Sequence, residues 1–286
     1  MKKCLKALFN TTCLPRINFT LAELSINAQK MVGKLSISGV QPKLSMKLNQ
    51  GTKELTVVAT GGEYILKPQT QTYPNIPQNE NLCMTIAEKL GIEVPPHALV
   101  ELKDGSIAYI VKRFDRDKGG KIHQEDFMQI LGKDEKYRGS NEEIGKKILT
   151  ISDAPGLDVQ LFYERVLLNF IIGNGDAHFK NYSIIYGTSG SIRLAPAYDI
   201  VSSKLVLPDE EDTALTINGK KNRITTIDFD DFRKYLEIPS KAVRDKYLDQ
   251  TALIFETIKQ SALNEQEKEK LEEIVKSRIA RLTAKM

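Results

Sequence analysis

The feature that most constrains the fold of this chain is a change of hydrophobic period near residue 125. From about 34 to 125 the sequence runs in short alternating stretches: KLSIS, KLSMKL, ELTVVAT, EYILK, SIAYIVKRF and KIHQED. Turn signals divide them at Asn49-Gln50-Gly51, Gly61-Gly62, Asp104-Gly105 and Gly119-Gly120. Apolar residues at every second position bury one face of a strand, and Gly or Asn turns join strands, so this half predicts an antiparallel sheet. One helix interrupts it. In NENLCMTIAEKLG, Leu82, Ile86 and Leu90 share a stripe that stops at Gly91. After 126 the period becomes helical in FMQILG, NEEIGKKILTI and VQLFYERVLLNFII, with NYSIIY-GTSG-SIRLA as the one clear hairpin. Two helices close the chain, one near 240–262 and one from Asn264. In the latter, Asn264 and Glu267 fit a capping box and Leu271, Ile274, Val275 and Leu282 form the apolar stripe. A β-rich region 1–125 followed by a helical region 126–286 predicts a two-lobed α+β fold.

Bulk properties narrow the function classes. At 286 residues, 41% hydrophobic and 27% charged, the chain reads as a soluble globular protein with a sizeable core. A net charge of +4 makes no case for a nucleic-acid binder. Cys4, Cys13 and Cys83 are odd in number and contain no C-x-x-C pair, which favours thiols in a reducing cytoplasm over a disulfide or zinc framework. The N-terminal MKKCLKALF is interrupted by Lys6 and ends at Asn10, short of a secretory h-region. No stretch reaches the ~18 apolar residues that span a bilayer, so the expected location is cytoplasmic.

Chemistry concentrates in GNGDAHFKN, residues 173–181. Asp176 precedes Asn181 by five positions, the D-x-x-x-x-N spacing of a kinase catalytic loop, in which the aspartate receives the acceptor hydroxyl and the asparagine holds magnesium. A polar loop directly after an apolar helix places Asp176 at a cleft mouth, where it serves either as base or as a plain turn aspartate. His178 either supports this loop or is structural. Asp199 follows the hairpin, whose ends converge, so Asn181 and Asp199 could share a magnesium otherwise held by water and phosphates. Upstream, Ser36-Ile37-Ser38-Gly39 is either an ordinary hairpin tip or a set of backbone N–H groups turned onto a phosphate. Lys67 ends the strand Tyr64–Lys67, where it either reaches a nucleotide phosphate or is an ordinary edge-strand or strand-end lysine. Glu80 either pairs with Lys67 or, with Asn79, caps the helix, and taken alone the cap is the simpler reading. Asp228, Asp230 and Asp231 read as an acidic first helical turn, and PDEED at 208–212 as a solvated loop. The parts stand in kinase order, but H-R-D and A-P-E are missing and Tyr198-Asp199-Ile200 replaces Asp-Phe-Gly.

These segments resemble the HipA-type serine/threonine kinase toxins of bacterial toxin–antitoxin systems. The resemblance is carried by SISGVQPK (36–43), EYILKP (63–68), NENLCMTIAEKLGI (79–92), VKRFDR (111–116), HQEDFMQ (123–129), GNGDAHFKNYS (173–183) and APAYDI (195–200). It implies a bilobal protein-kinase-like fold of the HipA type, with a β-rich N-lobe and an α-helical C-lobe. Asp176 is then the catalytic base, and Asn181 and Asp199 the Mg²⁺ ligands. ATP would be held by Lys67, by the 36–41 loop with Ser38, Gly39, Val40 and Gln41, by Lys43, and by His178 and Lys180, with main-chain groups of Glu125 and Phe127 on adenine. Autophosphorylation of Ser36 or Ser38 would place a charge of about −1.5 to −2 beside the phosphate site and switch the enzyme off.

The S-I-S spacing is similar to the short HipT-like subgroup. Standard HipA proteins carry roughly a hundred further residues before the loop, about the size of a small domain. In the short subgroup that part is a separate small protein acting with a DNA-binding antitoxin, and residues 1–35 here have no readable role. The implied activity is transfer of the ATP γ-phosphate to a serine of a translation component, an aminoacyl-tRNA synthetase (tryptophanyl or glutamyl), which would inhibit translation and growth. No direct nucleic-acid or membrane contact is expected of the chain. Two other readings share the same residues: an ATP-binding subunit of a repressor complex without transfer activity, and a small-molecule kinase. The intact set Lys67, Asp176, Asn181 and Asp199 argues against the inactive subunit.

Overall fold

A computed structural model describes residues 2–24, 26, 42–117 and 120–284. They form two compact units: Met1–Asn81 with Pro95–Lys121, and Leu82–Val94 with Ile122–Met286. Residues 82–94 thus cluster with the helical half, which a single cut after residue 125 does not anticipate. The ties are specific, since Lys89 Nζ donates to Thr257 Oγ1 at 3.1 Å and Ala197 N donates to Glu93 O at 2.8 Å.

The first unit is built on a five-stranded sheet of order β2-β1-β3-β5-β4, antiparallel throughout. Its strands are β1 (Leu44–Asn49), β2 (Glu54–Val57), β3 (Tyr64–Pro68), β4 (His97–Glu101) and β5 (Ile107–Lys112). Alternation along β1 sends Leu44, Met46 and Leu48 to one face, and the register carries that face to Leu66 of β3 and Ile110 of β5. The face is closed by the N-terminal segment, where Leu8 and Phe9 of the helix Lys2–Phe9, Ile17 and Leu24 are buried against it. Phe9 meets Tyr64 with ring centroids 5.4 Å apart. Burying one such side chain fully contributes about 1.5–3 kcal/mol. The N-terminal segment, unreadable from sequence, therefore gives this unit's core Leu8, Phe9, Ile17 and Leu24. On the other face Lys67 stands opposite Tyr109 in the β3–β5 register. A short hairpin of β6 (Arg116–Asp117) and β7 (Gly120–Lys121) completes the unit.

The second unit is organised around the helix Pro155–Ile171, which begins on Pro155 and is buried almost continuously from Asp158 onward. Its Phe162, Tyr163 and Phe170 pack with Phe229 and Phe232 of the helix Thr226–Tyr235. A three-stranded antiparallel sheet lies in the order β10-β9-β8, from β8 (His123–Asp126), β9 (Ser183–Tyr186) and β10 (Ile192–Leu194). Ser140 caps Asn141–Ile151, and Asn264 with Glu267 forms the expected capping box of Glu265–Thr283. The helix expected over 240–262 is broken at Gln250 into Ala242–Asp249 and Thr251–Lys259. Asp228 acts as foreseen, accepting from Thr225 N at 2.9 Å at the start of its helix, whereas Asp230 and Asp231 lie beyond the first turn and pair instead with Arg244 at 2.7 Å and Lys234 at 3.0 Å.

PDEED is only in part the solvated loop expected: Pro208, Asp209 and Glu211 are exposed, but Asp212 is only 7% exposed and is clamped by Arg278 and Arg281 of the last helix. Glu210 of the same stretch turns inward onto Ser203. Among the described residues no helix is long and apolar enough to cross a membrane.

Candidate active site

In the first unit, Lys67 and Glu80 form a salt bridge at 2.5 Å and are 5% and 3% exposed. The helix carrying Glu80 runs Ile76–Lys89, so Glu80 lies inside it and the cap reading is wrong. An edge-strand lysine would keep its ammonium in water. This one is held between Glu80 and the Tyr109 ring, whose centroid is 5.7 Å from Nζ. Lys43 is half-buried just before β1. The loop residues Ser36, Ser38, Gly39, Val40 and Gln41 lie outside the described residues.

In the second unit, the loop after Pro155–Ile171 is held by buried amides. Asn174 N donates to Asn169 O at 2.8 Å, Asn174 Nδ2 to Asn169 Oδ1 at 2.9 Å, and Asn169 Nδ2 to Tyr182 Oη at 3.0 Å. The loop's entry and exit are thus tied to one residue of the helix. Asn169 is the polar interruption in LLNFII, and that was the available sequence signal for it. Gly175 N donates to Ser203 Oγ at 2.8 Å, and Ser203 in turn donates to Glu210 Oε2. A Cβ at Gly175 would lie 2.5 Å from both Glu210 Oε2 and Glu211 O, so this close approach demands glycine.

Asp176 does not serve as a local turn carboxylate. Its backbone N–H is taken by Asn174 Oδ1 at 3.3 Å, while its own Oδ1 accepts from the Tyr137 hydroxyl at 2.5 Å. Two residues on, His178 is buried, and its Nδ1 accepts from Lys180 N at 3.3 Å, capping the single 3-10 turn Phe179–Asn181. Burial lowers the His178 pKa, opposed by the Asp176 charge, so the ring is neutral and its engaged nitrogen serves the loop itself. Lys180 is half-buried, and its carbonyl accepts from Tyr198 Oη at 2.9 Å. Tyr198 also shares a hydrogen bond with Ser183 Oγ, which accepts from Gln124 Nε2 at 2.9 Å. Burial pushes the Tyr198 phenol well above its usual range.

Asn181 and Asp199 meet. Asn181 Nδ2 donates to Asp199 Oδ2 at 3.2 Å, and Asn181 Oδ1 accepts from His178 N at 3.0 Å. Asp199 holds a left-handed backbone, φ 59°, sparsely populated by residues other than glycine. Arg165, fully buried, donates to Ala195 O at 2.6 Å at the start of the segment leading to Asp199, and burial lowers its pKa to about 10. An amide oxygen and a carboxylate are hard donors that suit Mg²⁺, which keeps several waters and needs only one or two protein oxygens besides phosphate. Among the described residues no cluster of three or more His, Cys, Asp or Glu side chains forms a larger cage.

On β8, Glu125 Oε2 accepts from Tyr186 Oη at 2.6 Å. The main-chain N–H of Phe127, expected on adenine, here donates to Tyr182 O at 3.0 Å, because the pairing with β9 continues past the strand end. Sequence reasoning missed Tyr137, Ser203 and Glu210, none of which stands at a telling spacing from Asp176.

A β-rich unit with a strand lysine paired to a helix glutamate, and a helical unit with an Asp–Asn–Asp constellation, is a protein-kinase-like α+β plan. The profile of the HipA-like C-terminal domain matches residues 35–256, and the chain belongs to that family. It is 35% identical over 212 residues to the putative kinase Y4dM of Sinorhizobium fredii, covering 68% of this chain and 52% of that protein. A putative kinase of Haemophilus influenzae is 35% identical over 203 residues (66% and 58%). The serine/threonine-protein kinase toxin HipA of Shewanella oneidensis is 28% identical over 210 residues (65% and 47%). The chain thus spans about half the length of the curated relatives it matches.

Among solved structures, the fold is similar to a chain of the Shewanella oneidensis MR-1 HipA, HipB and operator DNA complex. The TM-score there is 0.70 at 24% identity, over 87% of this chain and 65% of that one. It is also similar to the Helicobacter pylori proinflammatory kinase CtkA, with TM-score 0.61 at 19% identity, over 94% and 95%.

Proposed function

We propose that this chain is a serine/threonine protein kinase that transfers the γ-phosphate of ATP to a serine of a translation component and acts as the toxin of a toxin–antitoxin system. The observation that carries this reading is the meeting at 3.2 Å of Asn181, in the loop that presents Asp176, with Asp199 beyond the β9–β10 hairpin. Asp176 orients the acceptor hydroxyl and takes its proton as the new O–P bond forms, a role worth about 10²–10⁴ in rate. Asn181 and Asp199 are the residues that would hold Mg²⁺. When bound, that ion neutralises charge on the phosphate oxygens. Lys67, fixed by Glu80, offers its ammonium to the phosphates, aided by Lys43 and backbone N–H groups of the 36–41 loop.

The finer reading follows the family resemblance. The HipA structure named above was solved with HipB and operator DNA, which supports antitoxin partners for this chain; in our reading these are a DNA-binding protein and a small protein that supplies an N-terminal subdomain. The acceptor in this reading is an aminoacyl-tRNA synthetase, tryptophanyl or glutamyl. Ser36 or Ser38 is the autophosphorylation site that ends activity by adding charge of about −1.5 to −2 beside the nucleotide.

The test is incubation of the purified protein with Mg-ATP, with and without each synthetase, followed by intact mass and peptide mapping. Phosphate is expected on Ser36 or Ser38 and on a synthetase serine, and about 10²-fold or more slower in Asp176→Asn. Nucleotide binding without transfer to any of these would replace the kinase reading with that of an ATP-binding subunit.

A further inference from the structure

The hydroxyl of Tyr137 stands where a kinase base receives its substrate. It donates to Asp176 Oδ1 at 2.5 Å, although Tyr137 lies 39 residues earlier in the chain. The backbone under it is fixed. Lys136 O accepts from Phe179 N at 3.3 Å, Tyr137 O accepts from Lys221 Nζ at 3.2 Å, and a Cβ at Gly139 would lie 2.4 Å from Phe179 Cζ, so the 136–139 segment is laid directly on the catalytic loop. The side chain is not fixed in the same way. Tyr137 is 43% exposed, its ring edge-on to His178 at 5.2 Å and covered by Lys136 Nζ at 4.6 Å. A tyrosine on an anchored backbone with an exposed ring can leave by rotation about χ1 without moving the loop.

We infer that Tyr137 marks the acceptor subsite and screens it: its phenol is a placeholder for the incoming hydroxyl, and a substrate serine or threonine must displace it from Asp176 Oδ1 before transfer. This rests on the kinase reading above. An acceptor that wins this exchange gives Asp176 the same hydrogen bond Tyr137 gave, so the exchange is nearly balanced for a well-presented side-chain hydroxyl. Water presented without further binding energy competes poorly. Tyr137 would thereby select acceptors delivered on a docked chain and suppress idle hydrolysis of ATP. Because the filled subsite lowers the competent fraction, the acceptor KM is raised while the chemical step after displacement is unchanged.

The experiment compares the full chain with Tyr137→Phe, which keeps the ring on His178 and removes only the hydroxyl, using Asp176→Asn as the chemical control. Two readouts are taken with Mg-ATP: ADP release with water as the only acceptor, and phosphate transfer to a serine-containing protein such as casein across a concentration series. Tyr137→Phe is expected to raise acceptor-free ADP release and lower the acceptor KM, each about 3- to 10-fold, with kcat unchanged. A fall in kcat at unchanged KM would overturn the inference, showing that Tyr137 aligns the base rather than screening it. Equal ADP release and equal KM in the two proteins would overturn it also. Phosphate mapped to Tyr137 itself would do the same, since the phenol would then be an acceptor and not its placeholder. Failure of the kinase reading looks different: neither protein releases ADP or transfers phosphate, and Asp176→Asn changes nothing, which removes both proposals together.

Discussion

The clamp on Asp212 gives the sharpest test of how this fold is held. Asp212 is 7% exposed, bonds Arg278 and Arg281 of the C-terminal helix, and has its pKa lowered to about 2. Burial alone would raise that pKa, and the hydrogen bonds and charges of the two arginines outweigh it. Arg278, 3% exposed, lies on the Phe170 ring at 4.9 Å. A folded pKa below the ordinary 3.8 means stability that is present above about pH 4 and lost as pH falls toward 2, amounting to roughly 2 kcal/mol. Asp212→Asn removes that term and leaves the buried Arg278 guanidinium without its counter-charge, so the neutral-pH cost is larger, about 3–5 kcal/mol. Against the roughly 5–15 kcal/mol of a typical domain, this is a large fraction. In urea unfolding followed by far-UV circular dichroism, the midpoint should fall by more than about 1 M. The gap between variant and wild type should narrow by roughly 2 kcal/mol as pH drops from about 5 toward 2. Adding Arg278→Met should recover part of the loss, since the stranded charge is then gone. A variant within about 1 kcal/mol of wild type at neutral pH, or a double variant weaker than Asp212→Asn alone, refutes the reasoning.

Two further outcomes concern the support beneath the catalytic loop. Gly175→Ala drives a methyl to 2.5 Å from Glu211 O and Glu210 Oε2, so thermal unfolding should show a loss of about 1–3 kcal/mol, and ADP release in Mg-ATP should slow. Glu210 has its pKa raised above the ordinary 4.5, first by burial and further by Asp176, so its ionised form costs folded-state stability. That cost appears as pH rises through the window above 4.5. Stability of wild type relative to Glu210→Gln should therefore decline as pH rises above 4.5 in parallel urea titrations, and a constant gap would sink the assignment.

What was legible in the chain followed local rules. The strands of the first half announced themselves by period-two alternation, and the cap at Asn264 by a carboxylate three residues on. The meeting of Asn181 and Asp199 was legible by spacing, because the hairpin between them returns the chain to the same point. What failed depended on partners far away in sequence. Glu80 looked like a cap until β3 supplied Lys67. PDEED looked solvated because nothing near it announces that Arg278 and Arg281 arrive from the last helix. The helix Lys2–Phe9 is short and rich in lysine, and its structural role emerges only when the sheet supplies the face that buries Phe9. Tyr137 carries no signal at all in sequence, since a tyrosine in a polar loop meets Asp176 only through the packing of residues 136–139 on Phe179.

The link from Gln124 through Ser183 and Tyr198 to the Lys180 carbonyl ties strand β8 to the catalytic loop. Every group in it is uncharged, and the raised Tyr198 phenol stays protonated across the physiological range. Salt weakens exposed charge–charge attraction but leaves neutral hydrogen bonds nearly untouched. The strand β8 and the loop at Lys180 are therefore kept in register by a fastening indifferent to ionic strength. The charged contacts around them can vary with the medium while the frame that carries Asn181 stays put.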